Sequence, residues 1–183
     1  HYLPYQRVRD YQRDQPLRVL FVGSVNLRKG IPYLLEAFHN IPSEMAQLKV
    51  VGNIYLKSEC LAMYQDKVEF VGKVPHLEMP QIYQEADIFI FPTISDGFGA
   101  VILEAMATGL PVITTHHCAD LVQEGENGYR IPIRDPEAIQ EKLNLLYNSP
   151  ELIQELSKGA IATTQGYTMT HYQTRLADAL SLK

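Results

Sequence analysis

The chain has 183 residues, 46% hydrophobic and 20% charged, which suits one globular domain with a real core and excludes a disordered chain. Its net charge of −5 gives no electrostatic basis for broad nucleic-acid binding, and no apolar stretch reaches the roughly 18–20 residues of a membrane span. Two cysteines, Cys60 and Cys118, lie far apart without a CxxC pairing, which argues against a disulfide framework or structural zinc and for a reducing compartment.

In chain order, "HYLPYQRVRDYQRDQP" is polar, aromatic and aperiodic, and reads as a linker or arm over residues 1–16, ahead of one domain over 17–183. No signal-peptide pattern opens the chain, and a first residue of His rather than Met points to a piece of a longer polypeptide. "LRVLFVG" is a short apolar, β-branched run ending in glycine, the pattern of a buried strand. The polar loop "SVNLRKG" leads into a helix over "IPYLLEAFHNI", with Leu34, Leu35 and Phe38 on its apolar face and Pro32 in its first turn.

The unit then repeats. "AQLKVVG" reads as a strand and "SECLAMYQ" as a helix with Leu61 and Tyr64 inward. "VEFVG" is the third strand, and "HLEMPQIYQEA" a short helix interrupted or restarted near Pro80. "DIFIFPT" is the fourth strand, "GAVILEAMATG" a helix closed by Gly109, "PVITT" the fifth strand and "GYRIPI" the sixth. "DPEAIQEKLNLLYNS" has Asp135 as N-cap and Pro136 at the first helical position; "PELIQELSKGAIATT" and "THYQTRLADALSLK" close the chain as two helices. Short continuous apolar strands alternating with amphipathic helices predict an α/β fold: a doubly wound, Rossmann-like parallel sheet of about six strands. Ligands of such sheets sit outside the carboxyl ends of the strands, so the loops after them are the place to look for function.

One of those loops carries chemistry. In "SDGFGAVILEAMATG" a carboxylate, Asp96, precedes a Gly97-Phe98-Gly99 turn, and seven residues separate it from Glu104 in an otherwise apolar helix. Free N–H groups of the first helical turn, with the helix dipole, form an anion site at the helix start. The two glycines admit a sharp turn and close approach of a phosphate. Glu104, one turn further in, is placed to accept hydrogen bonds from a ribose diol, and a lone carboxylate on an apolar helix needs a partner. "His116-His117-Cys118" is not a metal site on this reading, because adjacent residues do not converge on one ion. One of these histidines is expected at the phosphate mouth. The G-x-G-x-x-G fingerprint of nicotinamide enzymes is missing from "GSVNLRKG".

The stretch "DGFGAVILEAMATGLPVI" resembles the E-x7-E signature of group 1 type retaining glycosyltransferases with the GT-B fold. "LRVLFVGSVNLRKGIPYLLEAF", "LKVVG", "VEFVGKVPHLEMPQIYQEADIFIFPT" and "DLVQEGENGYRIP" are similar to that family in order and spacing. The resemblance covers roughly residues 17–146 and corresponds to the C-terminal half, which binds the nucleotide-sugar donor; the N-terminal acceptor half has no counterpart here.

The resemblance implies that Glu104 binds ribose hydroxyls and Asp96 the donor sugar. It implies that Lys29 and Arg28 neutralise the diphosphate and that the backbone near Val74 faces the base. Asp96, Glu104 and Lys29 are then the catalytic candidates; Ser24, Gly97, Phe98, Gly99, Ala100 and Val101 complete the nucleotide-sugar site. The implied reaction is metal-independent retaining transfer of a sugar to an acceptor hydroxyl. A UDP-, GDP- or ADP-sugar acts as co-substrate, no cofactor is needed, and the chain contains no D-x-D triplet. Tyr2, Tyr5 and Tyr11 are expected to have touched the missing half. The implied location is cytoplasmic, with any peripheral membrane contact made through that half. The pattern departs from the family at Asp96, where Glu is usual, at Ser24, where Arg is frequent, and at Asp120, the acidic place of a loop that here reads "HHCAD". The departures at Asp96 and Ser24 leave open a binding-only or regulatory module that transfers no sugar.

Overall fold

Strand β1 (Leu17–Val22) forms where the run "LRVLFV" offers β-branched and aromatic residues, with four of its six positions buried and two half-buried. In the computed structural model, which describes residues 15–118, 120–167, 171, 173, 174, 177, 178 and 180, five further strands join it. They are β2 (Ala46–Val51), β3 (Val68–Gly72), β4 (Ile88–Phe91), β5 (Val112–Thr115) and β6 (Gly128–Ile131). All pairings are parallel, and the order across the sheet is β3-β2-β1-β4-β5-β6. The central β4 and β5 are buried at every position, as a parallel strand covered on both faces must be.

The helices are α1 (Ile31–Asn40), α2 (Ser58–Ala62), α3 (Met79–Glu85), α4 (Ala100–Ala107), α5 (Pro136–Asn148) and α6 (Pro150–Gln165). Helix α1 packs on α5, and α4 on α6. Pro32, Pro80 and Pro136 all fall in first turns, where no N–H is needed. Helix α2 is shorter than the sequence suggests: it stops at Ala62, and Tyr64, though packed against the core, lies in the turns that follow. The arm to residue 14, with Tyr2, Tyr5 and Tyr11, and most of the last expected helix lie outside the described residues.

The chain winds outward from β1 to β3, then returns to lay β4 on the other side of β1, pairing Val19 with Ile88 and Leu20 with Phe89. That reversal is the topological switch point, where loops diverge and leave a crevice at the strands' carboxyl ends. The loops after β1 and β4 flank it. At the opposite end of the sheet, Asp87 is buried and accepts from the backbone N–H and Nε of Arg18 through Oδ2, and from its guanidinium through Oδ1. Among the described residues, no helix is long and apolar enough to cross a membrane.

Candidate functional site

The loop after β1 closes as a 3₁₀ turn over Leu27–Lys29, capped by the Asn26 side chain, which accepts from the Lys29 N–H at 3.0 Å. Gly30 ends the turn at φ 73°, and a Cβ there would lie 1.9 Å from the carbonyl oxygen of Pro92. Only glycine therefore lets this loop press on the one after β4. Further bonds stitch the two together: the Ile94 N–H donates to the Arg28 carbonyl at 2.9 Å, and the Arg28 guanidinium to the Ser95 carbonyl at 3.1 Å.

Pressed together, the loops bring Lys29 to Asp96. The ammonium donates to Oδ2 of Asp96, while Oδ1 accepts from the Gly97 N–H at 2.8 Å. The Lys29 side chain is only 10% exposed and its ammonium lies 4.8 Å from the centre of the Phe91 ring, whose face attracts a cation. Arg28 is exposed. The structure pairs Lys29 with Asp96, the two residues to which the resemblance gives separate duties, diphosphate and sugar. A desolvated ammonium needs a counter-charge, and in this arrangement Asp96 is the carboxylate that supplies it.

Helix α4 starts behind Gly99, at φ 67°, with no side chain capping it. The Ile102 N–H turns back to the Gly99 carbonyl, and the Ala100 and Val101 amides form the first turn, where no intrahelical acceptor is available to them. Gly97 needs no left-handed conformation; a Cβ there would meet nothing within 4 Å, so its contribution is open space. Phe98 is exposed.

Glu104 is half-buried, and its Oε2 accepts from the Tyr83 hydroxyl of α3 at 2.8 Å. The Tyr83 ring is buried and tilted against Phe89 at 6.0 Å; Phe89 stacks on Phe91 at 6.2 Å, and Phe91 on Phe21 at 5.9 Å. This aromatic row runs from Phe91, which lies under the Lys29 ammonium, to Tyr83, which holds Glu104.

Ser24 and Val74 sit on the loops after β1 and β3, at the same end of the sheet, but neither joins this bonded cluster among the described residues. His116 and His117 are exposed; the His117 carbonyl accepts from the Asp96 N–H at 2.9 Å. Burial pushes the Cys118 thiol above its ordinary range, with the Asp96 carboxylate adding to the rise. Asp120 pairs with Arg130 of β6. The sequence reading missed Tyr83 and Arg130 as site neighbours. Tyr83 lies in the short helix read from "HLEMPQIYQEA", where nothing singled it out.

A family model described as Glycosyl transferases group 1 matches residues 16–149. The uncharacterized glycosyltransferase MJ1607 of Methanocaldococcus jannaschii is 31% identical over 135 residues, 69% of this chain and 35% of that protein. The chain spans half or less of the length of the curated relatives it matches. The crystal structure of Anabaena Alr3699/HepE in complex with UDP superposes with a TM-score of 0.83 at 20% identity, over 93% of this chain and 50% of that one. The C-terminal domain of a glycosyl transferase group 1 family protein, LpcC from Francisella tularensis, superposes at 0.75 with 22% identity, over 92% of this chain and 96% of that one. At these identities the superpositions speak for the fold, the Rossmann-like α/β sheet of GT-B glycosyltransferase structures. The family match covers the full sheet, both loops of the crevice and α4, and on it the chain belongs to the glycosyl transferases group 1 family.

Proposed function

We propose that this chain is the nucleotide-sugar donor-binding half of a retaining glycosyltransferase that moves a sugar from a nucleoside diphosphate to an acceptor hydroxyl. One observation carries the reading: at the switch point, a buried lysine, an uncapped helix start and two carboxylates converge within two touching loops and one helix. HepE, which shares the fold, has been crystallised with UDP and with UDP-glucose, and this supports a nucleotide-sugar ligand for this chain.

In this reading the Ala100 and Val101 amides and the cations Lys29 and Arg28 receive the diphosphate, Glu104 the ribose diol, and Asp96 the sugar. The backbone near Val74 faces the base, Ser24 lines the first loop, and Gly97, Phe98 and Gly99 shape the turn. When the bond from the anomeric carbon to the diphosphate oxygen breaks, the electron pair leaves with the diphosphate. Amides of the helix start, with Lys29 and Arg28 beside them, lower the barrier by stabilising that charge. We assign this stabilisation to the protein and not to a metal ion, and treat the nucleotide sugar as co-substrate with no further cofactor. Leu27, Tyr55, Leu77 and Phe98 expose large apolar side chains on the loops after β1, β2, β3 and β4. This rim supports an acceptor half closing over the crevice; we place the assembled protein in the cytoplasm, with any membrane contact made by that half.

Thermal melting with UDP-, GDP- and ADP-glucose tests the reading. A ligand that binds only the folded state at about 100 times its Kd adds roughly 2.7 kcal/mol of stability. At least one of the three is expected to raise Tm, and no shift with any of them would sink the proposal. A second reading, a binding module that transfers nothing, draws on the fact that both Asp96 oxygens are already engaged. Binding without transfer in the protein joined to its acceptor half would favour it.

A further inference from the structure

Glu104 is held in an unsymmetrical way. Its Oε2 accepts from Tyr83, while among the described residues Oε1 has no hydrogen-bond partner. The donor is rigid: Tyr83 is fully buried, sits on α3 beside buried Met79, and its ring is fixed against Phe89. A hydroxyl so anchored cannot follow the carboxylate, so the carboxylate must settle where the hydroxyl is.

We infer that Tyr83 is a positioning residue for nucleotide recognition, orienting the Glu104 carboxylate so that Oε1 meets a ribose diol. The inference rests on the proposed reading of Glu104 as the ribose acceptor. Tyrosine serves this purpose better than a flexible donor because its ring is locked by packing, and the rotamer entropy of the pair is lost on folding and not on binding. Tyr83 touches no ligand in this scheme; it acts through Glu104.

The test compares UDP with 2′,3′-dideoxy-UDP by calorimetry on the 183-residue chain, with the GDP and ADP pairs run alongside. Tyr83→Phe keeps the ring and its contacts and removes only the hydroxyl. It should weaken the ribonucleotide about three- to tenfold, the value of one ordinary hydrogen bond, and leave the dideoxy ligand unchanged. Glu104→Gln should lower the same ribo-to-dideoxy ratio, and adding Tyr83→Phe to it should bring little further loss. An equal loss for both ligands, or none for the ribonucleotide, overturns the positioning role. If Glu104→Gln changes the ratio and Tyr83→Phe does not, the inference fails and the reading of Glu104 stands. If Glu104→Gln leaves the ratio untouched, or no nucleotide binds, the reading itself fails and carries the inference with it. A structural role alone would lower Tm without moving the ratio.

Discussion

Lys29 shows how a single residue can be both prepared and restrained. An ammonium taken largely out of water is unfavourable without a counter-charge, and Asp96 supplies it along with the face of Phe91. In the proposed site a diphosphate would arrive at a cation that is already neutralised, so it must share Lys29 with the carboxylate or displace it. Two substitutions separate these effects. Asp96→Asn removes the competing charge and is expected to tighten UDP while reducing the extra affinity of a UDP-sugar over UDP. Lys29→Ala is expected to weaken UDP by tenfold or more, the value of a charge-assisted hydrogen bond of about 1.5–3 kcal/mol, with little effect on uridine. Calorimetry at low and high salt measures both, and the salt dependence of UDP binding should flatten in the lysine variant. Equal losses for uridine and UDP would show that Lys29 shapes the loop without meeting phosphate.

Elements meet in this fold through glycines whose value appears only at contact. Gly159 sits inside α6, where a glycine ordinarily costs about 0.5–1 kcal/mol relative to alanine. Propensity alone therefore says that Gly159→Ala stabilises. The contact says the reverse, because a Cβ there would stand 1.9 Å from the Glu126 carbonyl oxygen. The neighbouring loop has little room to yield: buried Asn127 accepts from the Gln123 N–H and donates to the Leu121 carbonyl and to Thr163 on α6. The alanine variant should lose about 1–3 kcal/mol, the ordinary cost of overpacking, seen as a lower urea midpoint at unchanged slope. A gain in midpoint would mean that the 126–127 turn moves aside. Gly30 plays the same part between the loops after β1 and β4.

For the whole molecule, the sheet carries a continuous buried core from β3 to β6, and on that ground the chain is expected to fold without a second half. It does need one to complete the proposed cleft, since the apolar rim of Leu27, Tyr55, Leu77 and Phe98 is open. The 183-residue chain is accordingly expected to melt cooperatively and bind a nucleoside diphosphate, but to transfer almost no sugar. Product assays with simple hydroxyl acceptors check this; sustained turnover by this chain alone would overturn the two-half reading, whereas slow donor hydrolysis would not.

What the amino-acid sequence determined by itself was local. Apolar runs of four to six residues, helical faces such as Leu34-Leu35-Phe38, and the caps Asp135 and Pro136 all became the elements their periods and end residues specify. The parallel sense of the strands followed from the alternation of strand and helix, and the acids of "SDGFGAVILEA" were legible as a candidate site because a glycine turn and a lone helical carboxylate are unusual neighbours. The partners of those acids were not legible. Lys29 and Asp96 are 67 residues apart and meet because β1 and β4 are neighbours in the sheet and Gly30 lets their loops touch. Tyr83 and Glu104, on different helices, meet because the aromatic row beneath them fixes one ring within hydrogen-bond reach. Strand and helix formation depend on neighbours a few residues away, which a sequence displays. A hydrogen bond between distant side chains depends on strand order and on tenths of an ångström in packing, which only the folded chain decides.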